Sequence, residues 1–173
     1  MNSASPATAI QGPRAVIEGH AALLVLEGAD QYRPFATLLD TARQWRMPVI
    51  FAATDSRIFA TSVASARAGE HWIRPPCLSA FLGTSLSLSL TRQKVQTLIV
   101  AGGRTDVEVH YSFVDAHQND FFCRLAEDCM AGESVASHEA ALKAMEYLQT
   151  GARQSVTSLL TALRATHERN SRS

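Results

Sequence analysis

The stretch "QTLIVAGGRTDVEVHYS", Gln96–Ser112, decides the fold. Its first part is apolar without alternation, the pattern of a strand covered on both faces. Two glycines close the run. Thr105 and Asp106 follow as helix-cap residue types, and Val107, Val109, Tyr111 and Val114 continue with the spacing of a helix over Asp106 to Ala116. A buried strand that turns through glycine into a helix is half of a βαβ unit. The residue in the exposed place early in that helix is Glu108.

The same alternation extends in both directions. "AALLVLE" (Ala21–Glu27) and "MPVIFAAT" (Met47–Thr54) are apolar runs of strand length, with "FFCRLA" (Phe121–Ala126) and "QSVTS" (Gln154–Ser158) as weaker ones. "EHWIR" (Glu70–Arg74) reads as a short edge strand. Helical spacing recurs over Phe35 to Trp45 and over Ser137 to Leu148, the latter with Ala141, Leu142, Met145 and Leu148 on one face and Gly151 as a C-cap, and Leu86 to Arg92 follows "GTS" as a capped helix. Thr157 or Ser158 caps a last short helix, "LLTALRAT". Strand–helix alternation predicts an α/β fold: a three-layer, doubly wound, Rossmann-like sheet of about six mainly parallel strands. The expected organisation is a flexible arm over 1–15, one domain over 16–165 and a flexible tail over 166–173.

Bulk properties narrow the function classes. The chain has 173 residues, 16 Lys+Arg and 16 Asp+Glu, which leaves no electrostatic footprint for nucleic acid or an anionic membrane. No apolar run spans a bilayer, and "MNSASPATAIQGPR" lacks the apolar core of a signal peptide, so a cytoplasmic location is expected. Cys77, Cys123 and Cys129 are an odd number with no C-x-x-C pair, and the histidines show no H-x-x-x-H pair. Neither a disulfide framework nor a structural zinc site is predicted, and no metal or cofactor is implied.

In a doubly wound sheet, ligands bind where strands end. The residues there are Glu27, Asp30, Thr54, Asp55 and the turn from Gly102 to Glu108. Glu27 closes an apolar run. Partial burial there would raise its carboxyl pKa and suit it to acid–base work; otherwise it caps a loop or pairs with an arginine. Asp30, in "GADQY", resembles an ordinary turn residue. Glu108 either complements the helix dipole, paired with Arg104 four residues earlier, or faces a ligand. The turn "GGRTD", with Gly103 and Thr105, offers backbone N–H groups to an anion, or Thr105 and Asp106 serve as caps. Cys77, stiffened by two prolines, is the cysteine placed to reach a pocket, whereas Cys123 and Cys129 read as structural. His71 and His110 are acid–base residue types, with His110 better read as packing or surface.

These segments together resemble the isochorismatase-like family, cysteine hydrolases that include nicotinamidases. The likeness covers about Ala21 to Leu163. It rests on "ALLVLEGADQYRPF", on "ARQWRMPVIFAATD", on the long run "SAFLGTSLSLSLTRQKVQTLIVAGGRTDVEVHYSFVDAHQND" and on "LAEDCMAGESVASHEAALKAM". The resemblance implies an Asp–Lys–Cys triad, whose places fall on Glu27, on Pro75 or (shifted by one) Arg74, and on Glu108. None keeps the family residue, and the Asp-x-His metal pattern is absent after "FAATD". Without a cysteine at position 108 the thioester route closes, since a carboxylate is a poor nucleophile toward an amide. The expectation is a cysteine-independent hydrolase or lyase acting on a small vinyl-ether or amide metabolite. Glu27, Glu108 and Arg74 would be catalytic, and Arg104, Gly103, Thr105, Asp30 and Phe81 would bind substrate. The alternative is a catalytically inactive relative that acts as a ligand-binding, scaffold or regulatory protein. A weaker third reading places a metal on Glu27, Glu108 and Asp30. The resemblance also implies a homo-dimer or higher homo-oligomer.

Overall fold

The computed structural model describes residues 16–53 and 67–171. Thr54 and Asp55, the arm over 1–15 and the last two residues lie outside the described residues.

Six strands, β1 (His20–Leu26), β2 (Val49–Ala52), β3 (His71–Ile73), β4 (Val95–Ala101), β5 (Phe122–Ala126) and β6 (Arg153–Gln154), form one sheet in the order β3-β2-β1-β4-β5-β6. Every pairing is parallel, with Leu24 of β1 opposite Ile50 on one side and Val100 on the other. The two-residue period of a strand divides the core between the faces. Ala22, Leu24, Leu26, Leu98 and Val100 face one layer; Leu23, Val25, Ile99 and Ala101 face the other. The first layer is closed by α2 (Leu86–Arg92), α3 (His110–Gln118) and α4 (Val135–Leu148), the second by α1 (Arg33–Gln44) and α5 (Val156–Asn170). This is the expected three-layer, doubly wound architecture.

The helix ends follow local chemistry. Pro34 sits in the first turn of α1, where a missing N–H costs nothing. Ser134 caps α4 by accepting from the Ser137 N–H, and the Ser137 hydroxyl answers from the other side. That box starts α4 earlier than its apolar spacing suggests, because a cap acts before the first core-facing residue. The C-cap of α4 is Gln149, not the glycine expected from sequence; Gly151 takes its positive φ of 84° in the turn beyond. Leu148 is exposed, as is Tyr111, so neither belongs to the apolar stripe of its helix.

Two other expectations change at the C-terminal end. Only Gln154 of "QSVTS" is in a strand, since the Ser155 hydroxyl accepts the Ser158 N–H and opens α5 there. Residues 166–170, within the stretch expected as a flexible tail, are helical, and the His167 ring stacks on Trp45 with centroids 5.0 Å apart.

Candidate active site

The chain leaves β1 toward β2 and β4 toward β5, in opposite directions across the sheet. Their carboxyl ends therefore splay, and the crevice between them is the natural ligand position of this fold.

Gly102 and Gly103 make the turn out of β4 with φ of 84° and 74°. A side chain at Gly102 would place its Cβ 2.3 Å from the Leu26 carbonyl oxygen, so only glycine lets the β1 and β4 ends approach. The turn is then laced to its surroundings. The Gly102 N–H donates to the Cys129 carbonyl (2.8 Å), Gly103 to the Glu27 carbonyl (2.8 Å), Thr105 to the Ala131 carbonyl (3.0 Å), and Arg104 to the Glu108 carboxylate (3.0 Å). All four N–H groups from Gly102 to Thr105 already have partners. The sequence expectation that this turn presents them to an anion is therefore corrected: the donors serve the strand ends.

A single π-helical turn, Thr105–Val109, leads into α3 and carries Glu108. Wide turns of this kind cluster at functional sites. The Glu108 carboxylate is gripped by its own turn, with the Arg104 guanidinium 3.6 Å away, and Arg104 lies equally close to Glu133. Behind the turn, Thr105 is fully buried and its Oγ1 lies 2.8 Å from His138 Nδ1. Burial pushes the Asp106 carboxyl up, but hydrogen bonds from Ser137, from its own backbone and from the Glu133 N–H, with the charge of Arg104, hold it below the ordinary aspartate range.

A cavity of about 720 Å³ fills the crevice. Glu27, Glu108, Arg104, Gly103 and Cys77 all line it, together with Tyr32 and the apolar Leu26, Ala52 and Ala80. Glu27 is exposed, so the burial expected of it is not found, and its carboxyl makes no bond to another described residue. The Tyr32 hydroxyl is pushed up from its ordinary pKa by burial and by Cys129.

Four predicted binding or catalytic residues stand outside this lining. Arg74 is exposed beyond β3; of the two alternatives for the lysine's place, Pro75 is the one in the wall. Asp30 is exposed in a 3-10 turn, so Glu27, Glu108 and Asp30 do not form one carboxylate cluster. Among the described residues no three His, Cys, Asp or Glu side chains are grouped to hold a metal. Phe81 is a core residue, its ring 6.0 Å from that of Phe121. Thr105 faces His138 as described.

Tyr32, Gln31, Ala131 and Gly132 were missed in the sequence. Ala131 and Gly132 follow the end of β5, so the strand-end rule, applied there too, would have found them. His71 and His110 are not in the lining. Cys123 and Cys129 are buried, which pushes both thiols up to about 12, and only Cys77 is exposed.

Fold and crevice together define a doubly wound α/β domain with its ligand site at the switch point between β1 and β4. The model of the isochorismatase domain matches residues 19–158, and the chain belongs to the isochorismatase family. Solved structures agree. An isochorismatase family protein from Burkholderia thailandensis superposes with a TM-score of 0.75 at 16% identity, covering 88% of this chain and 100% of that one. A putative hydrolase of the family from Chromobacterium violaceum gives 0.73 at 20% identity, covering 90% and 100%. The nicotinamidase of Staphylococcus aureus gives 0.67 at 16% identity, covering 80% and 99%. At these identities the likeness is one of fold.

Proposed function

We propose that this protein is a hydrolase or lyase that works without a cysteine nucleophile, acting on a small metabolite through Glu27 and Glu108. The observation that carries the reading is that both carboxylates line one cavity at the switch point. Their roles differ. The Glu27 carboxyl has no partner among the described residues and is assigned the proton transfers. Glu108 is held by Arg104 and orients water or substrate.

The environment favours one class of bond. Amide hydrolysis builds negative charge on an oxygen and needs donors aimed at it. The residues from Gly102 to Thr105 have none to offer, since all four N–H groups are engaged. Cleavage of a vinyl ether builds positive charge instead, and carboxylates stabilise it. In that step a proton carried from solvent through the exposed Glu27 reaches the terminal vinyl carbon, and an oxocarbenium ion forms. Water adds to the cationic carbon and returns a proton to Glu27. The hemiketal then breaks its C–O bond to leave an alcohol and a ketone.

The same engaged donors also suit a second reading, a family member that binds its ligand without turning it over. A screen of vinyl-ether and amide metabolites for turnover, repeated with Glu27→Gln and Glu108→Gln, separates the two. The enzyme reading expects each substitution to cut kcat by about 100-fold or more. Turnover that survives both substitutions would sink it, and no turnover across the screen favours the binder.

A further inference from the structure

The described wall of the cavity carries two carboxylates, Glu27 and Glu108, against one guanidinium, Arg104. Arg104 does not offset both. It is already shared between Glu108 and Glu133, each 3.6 Å away. The backbone donors that would welcome an anion are engaged in the turn. Among the described residues, an organic anion entering this space meets negative charge and no free N–H from Gly102 to Thr105.

We infer that the cavity selects small organic cations, such as amine or quaternary ammonium compounds, and excludes organic anions. The inference rests on the assignment of this cavity as the ligand site, and it names the charge class of the ligand. The cationic end lies toward Glu27, which has no other partner among the described residues. Tyr32 adds an aromatic ring to the wall, and the face of such a ring attracts cations. Leu26, Ala52, Ala80 and Pro75 receive the apolar body. About 720 Å³ is the size of an ordinary small-molecule site.

Cys77 is a reporter already in place, as it lines the cavity and is the one exposed cysteine of three. Its thiolate attacks a methanethiosulfonate reagent, forms a mixed disulfide and releases methanesulfinate. The experiment compares the labelling rates of the whole protein with the trimethylammonium-ethyl and the sulfonato-ethyl reagents. Each rate is divided by the rate of the same reagent with 2-mercaptoethanol.

The expected result is a normalised preference for the cationic reagent of about tenfold or more, the scale of electrostatic focusing in a charged cleft. Glu27→Gln and Glu108→Gln should each reduce it. Benzyltrimethylammonium should protect Cys77 from the neutral reagent iodoacetamide, and phenylacetate should not. A normalised ratio near one, a preference for the anionic reagent, or protection by phenylacetate overturns the inference. These readouts do not involve turnover. Cation selection with no turnover in the screen leaves the inference standing and removes the enzyme reading; turnover without cation selection does the reverse.

Discussion

Glu108 shows how much one side chain owes to its turn. Its carboxylate accepts the Arg104 N–H and faces the Arg104 guanidinium, so its direction is set by four residues of chain. Arg104→Ala keeps the N–H and removes the guanidinium. The pair is half-exposed, so stability should change by no more than about 1 kcal/mol, measured by urea unfolding. Gly102 is the opposite case. Its positive φ and the 2.3 Å approach of a Cβ to the Leu26 carbonyl leave no room to relax. Gly102→Ala should cost about 3 kcal/mol or more, because the clash is with backbone. A loss below about 1 kcal/mol would mean that the β1 and β4 ends separate easily.

At the scale of elements, the ends of helices and the edge of the sheet hold ionic contacts that the apolar pattern does not reveal. Arg43 of α1 grips Glu70, just before β3, with Nε–Oε1 at 2.8 Å, and both side chains are nearly buried. Burial pushes the Glu70 carboxyl up, but hydrogen bonds from Arg43 and the Arg67 N–H, with the charges of both arginines, outweigh it and hold it below the ordinary range. A carboxyl whose folded pKa is lowered stabilises the fold above its unfolded pKa, about 4.3, and loses that contribution as pH falls through the folded value. The urea midpoint should therefore be flat from about pH 8 to pH 5 and fall below about pH 4.5. Glu70→Gln should destabilise at pH 7 by roughly 3 kcal/mol and flatten part of the acid drop. A similar device ties α4 to the sheet, where Arg153 of β6 bridges Glu139 of α4 at 2.8 Å and also binds Glu127. Helix α1 was legible from spacing alone, since Phe35, Leu38, Leu39 and Ala42 repeat at helical intervals, whereas α2, whose leucines alternate at period two, was marked by the "GTS" before it. The start of α4 and the course of α5 were not legible. A hydroxyl cap and a stack of His167 on Trp45 settle those ends, and neither leaves a periodic trace.

For the whole molecule, burial sorts three chemically identical thiols. Native protein at pH 8 should take one equivalent of iodoacetamide, at Cys77, and unfolded protein three, as counted by mass spectrometry. A second native adduct would mean that the sheet opens locally. The two buried thiols also set an alkaline limit. Burial raises both to about 12, with Asp128 pushing Cys129 further up and Arg124 opposing the rise at Cys123. The unfolded chain releases those protons from about pH 8.5, so stability falls as pH rises from there toward the folded values.

The sequence by itself determined the parallel, doubly wound frame, because strands buried on both faces and helices buried on one stripe each impose a period on the chain. It also determined which ionisable residues end the central strands, Glu27 and the turn to Glu108. Only the tertiary structure decided what those residues meet. Whether a turn's N–H groups are free depends on carbonyls of Glu27, Cys129 and Ala131, all three on other connections of the chain. Whether Arg74 or Pro75 faces the cavity depends on how the loop after β3 lies across β2. Contacts between segments distant in sequence follow no local period, and the charge of the cavity is the sum of such contacts.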